Sequence, residues 1–346
     1  MTEVLRVDPD HPDSAVIARA AECLRNGGLV AFPTETVYGL GAHALDRAAI
    51  QRVFAAKERP ANDPLIVHVG SVDEAAPLVT AISDAARRLA ERYWPGPLTI
   101  VLGRSAQVPD EVTAGLDTVA IRVPSHPVAR ALLDAARVPI AAPSANLFSR
   151  PSPTIAWHVL ADLDDRIEMI VDAGPTQVGL ESTVVDLSGE VPTVLRPGAI
   201  DIGALRELLP NIRMHRSTAA TSDAAMPSPG MLVKHYAPRT PVVLHAGDRS
   251  TALRTMKQNA QQRIHAGETV AVLAYSEDVN EWRISLPVRI VDLGSEADPP
   301  AVAARLYAAL REGDELKASV ILVRSLTTSH PLSSAIHDRL RRAAAR

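Results

Sequence analysis

The sequence holds a single cysteine, Cys23, few aromatic residues (3%) and no excess of positive charge. Each scarcity removes a class of explanation. One cysteine cannot close an intramolecular disulfide or furnish a multi-cysteine metal site, which fits a reducing compartment. Cys23 stands at helical spacing with Val16, Ala20 and Leu24 and so reads as a core thiol. A formal net charge of -4 and the thin aromatic content argue against a dedicated nucleic-acid binder, whose surface is basic and interleaved with stacking rings. No apolar run approaches the ~20 residues that cross a bilayer. The start, Met1-Thr2-Glu3-Val4, carries no basic-then-apolar leader, so a cytoplasmic protein is expected. The 11 histidines lack H-x-x-x-H and H-E-x-x-H spacing and no G-x-S-x-G elbow occurs, so neither a metal cluster nor an α/β-hydrolase nucleophile is expected.

What is present is ample for two soluble domains: 346 residues, 47% hydrophobic and 22% charged,. Short apolar runs at 29–32, 65–69, 98–102, 118–123, 140–142, 169–171, 182–187 and 193–196 read as strands,. Helical patterns at 15–25, 48–56, 72–79, 84–93, 126–136 and 155–163 are fewer and do not alternate regularly with them. A mixed, twisted sheet with flanking helices is therefore expected over 1–212. From 213 to 240 the composition shifts to Ser, Thr, Ala, Met and Pro without periodicity, the mark of a linker,. Beyond it, over 241–346, strands at 242–244, 269–274, 288–291 and 320–324 alternate with helices at 250–266, 301–311 and 332–345, the pattern of a small Rossmann-like α/β domain,. It lacks a G-x-G-x-x-G or Walker sequence,. Its basic end, Arg339-Leu340-Arg341-Arg342, reads as the solvated face of a last helix.

The chain's most informative stretch runs from Gly28 to Val69. An apolar strand, Leu29-Val30-Ala31-Phe32, meets Pro33 and a polar turn, Thr34-Glu35-Thr36. A short helix follows, then Lys57 and Arg59 before Pro60, then a second strand containing His68. Gly39 and Gly41 allow a tight turn or close approach to a ligand or another strand. Lys57 suits a helix C-terminus without any further role. Arg59 precedes proline and is pushed into a loop, where Lys and Arg together make an anion site. Polar residues recur at strand ends: Thr34, His68, Arg122, Ser144 with Asn146, Ser182 with Thr183, and Arg196. Singly, each has a structural reading: a hydrogen-bonded core histidine, a paired arginine, a shaped turn. Together, Lys57, Arg59, Arg122 and Arg196 suggest a cationic cavity for phosphate and carboxylate.

These blocks resemble a known family. Phe32-Pro33-Thr34-Glu35-Thr36-Val37-Tyr38-Gly39-Leu40-Gly41, Lys57-x-Arg59-Pro60, Pro64-Leu65-Ile66-Val67-His68, Trp94-Pro95-Gly96-Pro97-Leu98-Thr99, Arg122-Val123-Pro124, Pro143-Ser144-Ala145-Asn146, Glu181-Ser182-Thr183 and Leu195-Arg196-Pro197-Gly198 look like the YrdC-like domain of the threonylcarbamoyl-AMP synthases. Ser228-Pro229-Gly230-Met231 and His235-Tyr236-Ala237-Pro238 resemble the linker of its two-domain branch. The resemblance implies a YrdC-like fold and the condensation of L-threonine, bicarbonate or CO2, and ATP, with Mg2+, to threonylcarbamoyl-AMP and pyrophosphate. A separate transferase then modifies tRNA, so tRNA binding by this chain is allowed but not required. It also implies that Thr34, His68, Arg122, Ala142 and Ser182 hold L-threonine. Arg59, Asp63, Thr118, Ser144, Ser152, Arg196 and Tyr236 fall to ATP, and Lys57, Arg59, Ser144 and Asn146 to the paired Lys-x-Arg and Ser-x-Asn signatures. Asp63 stands where the family usually has Asn, and a carboxylate beside a triphosphate repels it unless Mg2+ lies between. The linker, folded over the site and with Tyr236 on the nucleotide, is expected to act as a lid. The alternative expectation for Tyr236 is an anchor in the second domain. The rival to synthesis is a non-catalytic RNA-binding module with the same cavity.

Overall fold

The protein's structure, a computed structural model, describes residues 1–215, 226 and 235–345. The chain divides into two compact units, Met1–Phe148 with Ser152–Leu232, and Ser149–Pro151 with Val233–Arg346. The division departs from the contiguous domains read from sequence because the partners of 149–151 lie late in the chain. Ala237 donates its N–H to Ser149 (2.8 Å), Arg311 donates to the Pro151 carbonyl, and Arg150 pairs with Asp314.

In the first unit the described strands are β1 (Glu3–Arg6), β2 (Val30–Pro33), β3 (Tyr38–His43), β4 (Ile66–His68), β5 (Leu98–Gly103), β6 (Thr118–Arg122), β7 (Ile140–Ala141), β8 (Met169–Asp172), β9 (Thr183–Asp186), β10 (Thr193–Arg196) and β11 (Arg213–Met214). They form one mixed sheet in the order β1-β8-β2-β3-β7-β4-β6-β5-β9-β10-β11. Two expectations are corrected here. Tyr38–His43 is a strand, antiparallel to β2, where the sequence reads as a turn leading into a helix. Its glycines serve strand-to-strand approach: a Cβ at Gly41 would meet Phe32 Cε1 at 2.9 Å and Ile140 Cγ2 at 3.0 Å,. Arg213–Met214 adds an edge strand parallel to β10, so the linker does not begin at 213.

Alternation along the strands sends Ala31, Leu40, Val67, Ile100, Ile121 and Val185 to one face, where they build the main core,. On the opposite face, Val30, Phe32, Ile140 and Met169 are covered by the helices Ser14–Arg25 and Pro127–Ala136 through Ile17, Leu24, Val128 and Leu132. Among the described residues, this helical cover does not extend beyond β7. The next strands on that face carry a small separate cluster, Ile66, Val101, Ala120, Val184, Leu195 and Met226, with no helix residue in it.

The second unit holds β12 (Val242–His245), β13 (Val270–Ala274), β14 (Arg289–Asp292) and β15 (Val320–Arg324), all parallel, in the order β12-β15-β13-β14. This is the Rossmann-like pattern expected, with one further helix, Ser276–Ser285, that the sequence reading passes over. Arg324, at the carboxyl end of β15, is buried between Asp278 (2.7 Å) and Glu296 (2.6 Å) and lies 4.2 Å over the Tyr275 ring. Arg339 is not on a solvated face: it is fully buried, donates to Asp338 and stacks 5.1 Å from the Tyr236 ring.

Candidate active site

Where the helical cover ends, strand register lays out the site. Ile66, Ala120 and Val101 align across β4, β6 and β5. Two residues on, His68, Arg122 and Thr99 align across the same strands, with Val184 of β9 beside Thr99. Side chains two apart share a face, so the apolar row and the polar row look the same way. Thr118 is on that face too, four residues or roughly 13 Å from Arg122 along β6,. Three polar side chains abreast on a buried sheet face are costly without partners, and their partners define the chemistry.

Arg122 donates to Glu35 Oε1 at 2.6 Å, both side chains being buried. Glu35 reaches it from the turn between β2 and β3. There Thr34 Oγ1 accepts the N–H groups of Thr36 and Val37 and donates to the Val37 carbonyl. Thr34 thus locks the turn that aims Glu35. The Arg122 Nε and His68 Nδ1 atoms are buried and have no hydrogen-bond partner among the described residues. Burial, followed by the Arg122 charge, pushes the His68 pKa down to about 3, so its imidazole is neutral at pH 7. Its ring meets Phe32 edge-on at 6.4 Å. Ser182 is fully buried. Its Oγ lies 2.7 Å from Thr99 Oγ1 and accepts from Arg196, which also donates to the Ser182 carbonyl at 3.1 Å. A bulge between Val194 and Arg196 sets Arg196 opposite Val184, on the face of the two rows,. Ala142 donates its N–H to Ile66 at 2.9 Å.

The Lys57 and Arg59 loop is organised by its own backbone. Glu58 ends the helix Arg47–Lys57 in a left-handed conformation (φ 54°). Lys57, 1% exposed, donates to the carbonyls of Ser144 and Asn146. It fixes the Pro143-Ser144-Ala145-Asn146 loop, while the Asn146 side chain donates to the Leu147 carbonyl at 2.7 Å. Ser144 is half-buried and bridges Gly39 through its backbone. Arg59 pairs with Asp63 at 3.0 Å and donates to the carbonyls of Asp63 (3.1 Å) and Pro64 (2.8 Å). Ser152 donates to Glu181 Oε1, both buried.

The expected cationic cavity is therefore revised. Arg59 and Arg122 each carry a buried carboxylate of their own, which keeps isolated charge off the sheet face at the cost of a competitor for any anionic ligand. The Tyr236 ring is buried in the second unit, 5.5 Å from the Tyr307 ring and 5.1 Å from the Arg339 guanidinium. Of the expected lid, Ser228-Pro229-Gly230-Met231 lies outside the described residues. Met226 rests in the apolar cluster and donates its N–H to the Asn62 carbonyl at 3.0 Å. The reading from sequence gave no site role to Glu35, Thr99 or Glu181. For Thr99 a signal existed, a hydroxyl inside the apolar run Leu98–Leu102. For Glu35 and Glu181 nothing local points to their partners.

The chain matches the family described as "Telomere recombination" (Sua5, YciO and YrdC) over residues 22–198, and "Threonylcarbamoyl-AMP synthase, C-terminal domain" over residues 200–345. It is 42% identical to the threonylcarbamoyl-AMP synthase of Pyrococcus abyssi, covering 94% of this chain and 92% of that one. With the Bacillus subtilis threonylcarbamoyl-AMP synthase it shares 41% identity over 95% and 92%. The crystal structure of P. abyssi Sua5 complexed with L-threonine superposes with a TM-score of 0.90 at 39% identity, covering 99% of this chain and 98% of that one.

Proposed function

Because the chain belongs to the threonylcarbamoyl-AMP synthase family, we propose that it condenses L-threonine, bicarbonate or CO2, and ATP into threonylcarbamoyl-AMP and pyrophosphate, a nucleotidyl transfer. The observation that supports this reading most directly is the row His68–Arg122–Thr99: buried, polar, abreast on three strands and next to an apolar floor. Such a row suits a small zwitterion better than a nucleic acid backbone, since its donors are few, convergent and enclosed.

The neutral threonine amine adds to CO2 through a new N–C bond and loses one N–H proton to solvent, giving a carbamate. One carbamate oxygen then bonds to the α-phosphorus of ATP while the bond to the β-phosphate oxygen breaks and pyrophosphate departs. No enzyme nucleophile is required, so catalysis falls to positioning and charge stabilisation. Thr34, His68, Arg122, Ala142 and Ser182 are proposed to seat the amino acid, with Glu35 orienting Arg122. Arg59, Asp63, Thr118, Ser144, Ser152 and Arg196 are proposed for the nucleotide, and Lys57 holds the Ser144 and Asn146 loop. The distance from Arg122 to Thr118, roughly 13 Å along the strand, leaves length for an amino acid and phosphates in line. Among the described residues no cluster of three His, Cys, Asp or Glu could hold a metal. Mg2+ would therefore arrive on the triphosphate and neutralise phosphate charge there, with Asp63 the carboxylate proposed to face it. The product suits a separate transferase that acts on tRNA in the cytoplasm.

Incubation with ATP, L-threonine and bicarbonate, followed by mass spectrometry, tests the reading. Threonylcarbamoyl-AMP is expected, and pyrophosphate release should require bicarbonate. Equal turnover in CO2-depleted buffer would instead indicate ordinary activation of the amino acid carboxylate.

A further inference from the structure

Thr99 and Ser182 are both fully buried, and their hydroxyl oxygens lie 2.7 Å apart. Two hydroxyls carry two protons, and one contact between them uses one. The third member of the group, Arg196, donates to Ser182 Oγ at 3.2 Å and has no acceptor to offer,. Whichever hydroxyl donates to the other, one O–H remains without an acceptor on the described residues. A buried donor left in that state is expensive. Its surroundings say what would satisfy it. Thr99 aligns with Arg122 across β5 and β6, and the Arg122 Nε–H is likewise buried without a partner among the described residues. Arg196 flanks the other side of the pair. A spare hydroxyl proton and a spare guanidinium N–H on aligned residues suit an anionic acceptor with two oxygens, with Glu35 held on another nitrogen of the Arg122 guanidinium,.

We propose that Thr99 is a further positioning residue of the site. It and Ser182 act as one unit that presents a single hydroxyl proton to the substrate amino acid's carboxylate, beside the Arg122 Nε–H. This rests on the function proposed above and assigns a place to the carboxylate within it. Ser182 alone would be free to turn its proton among several directions. With Arg196 donating to it and Thr99 sharing its remaining contact, the pair has one outlet.

The test is direct binding by isothermal titration, with L-threonine and ATP measured separately and L-threoninol as a probe that lacks the carboxylate. Thr99→Val keeps the shape and removes the hydroxyl, and Thr99→Ser keeps the hydroxyl. Thr99→Val should weaken L-threonine roughly tenfold or more, leave ATP affinity unchanged and leave the already weak L-threoninol affinity unchanged. Thr99→Ser should bind L-threonine within about threefold of the native protein. Equal L-threonine affinity in Thr99→Val would overturn the proposal. So would parallel losses for ATP or L-threoninol, or a Thr99→Ser protein as weak as Thr99→Val. Should Thr99→Val not fold, Thr99→Ala gives the same comparison. A native protein that binds ATP but no L-threonine would instead refute the proposed function and not this assignment alone.

Discussion

Arg59 and Asp63 face each other at 3.0 Å with side chains 4% and 0% exposed, in the loop proposed to meet the triphosphate. The arginine cannot serve a phosphate fully while it serves a carboxylate four residues away. Asp63→Asn should keep an acceptor near Arg59 and remove the competing charge. ATP affinity without Mg2+ should then rise about three- to tenfold, or ~1 kcal/mol, read by titration in EDTA. Equal or lower affinity in EDTA would contradict this expectation, whereas a fall that appears only with Mg2+ would support Asp63 as the carboxylate that faces the metal.

Arg59→Ala raises the complementary question, since the arginine also ties down the Asp63 and Pro64 carbonyls. Alone, it leaves a buried carboxylate without its guanidinium and should cost ~3–5 kcal/mol of stability. Combined with Asp63→Asn, much of that loss should return in urea unfolding, while synthesis stays roughly one to two decades down. A double variant with restored activity would assign Arg59 a purely structural role.

His68 gives the fold an acid limit. Burial, and then the Arg122 charge, lower its pKa from the ordinary imidazole value of 6.5 to about 3 in the folded protein, so the unfolded chain binds the proton first and stability falls as pH drops from 6.5 towards 3. The full loss is up to ~5 kcal/mol. His68→Phe should flatten that part of the stability profile in urea titrations at pH 7, 5.5 and 4. An identical slope in both proteins would mean that His68 is not held neutral.

Gly198 should tolerate nothing larger. A Cβ there would lie 2.3 Å from the Thr183 nitrogen, 2.5 Å from the Ser182 carbonyl carbon and 2.6 Å from the Glu181 carbonyl oxygen. All three are backbone atoms, which cannot rotate away as a side chain end can. Gly198→Ala should destabilise the protein by ~2 kcal/mol or more and weaken L-threonine through displaced Ser182. Native stability together with native affinity would show that this segment yields easily.

Strands with mostly apolar, β-branched runs, such as β5 and β6, were legible because propensity and burial agree there. β3 was not, since Gly39 and Gly41 blank out one face of its alternation, and the atoms that crowd them, Ala142 at Gly39 and Phe32 and Ile140 at Gly41, are brought there only by the fold. β1 has three exposed residues in four and gave no apolar signal. In the site, residue types at strand ends were visible but their pairings were not. Arg122 and Glu35 are 87 residues apart, as are Lys57 and the Ser144 carbonyl. The burial of Arg339 is hidden from the sequence for the same reason: the Tyr236 ring beneath it lies about a hundred residues earlier, and no local pattern carries that distance,.

The pairing of β1 with β8 also sets an order of events during synthesis. Thr2 donates to the Ile167 carbonyl across 165 residues, immediately beside that pairing. At about 5–20 residues per second, the first strand leaves the ribosome roughly 10–30 s before its partner exists. Over that interval it is a loose edge in a crowded cell, open to the wrong strand. Glu3 and Arg6, with charge at both ends of its four residues, are the kind of side chains that discourage such pairing,. The exposure that hid β1 from a hydrophobicity reading is thus what lets it wait.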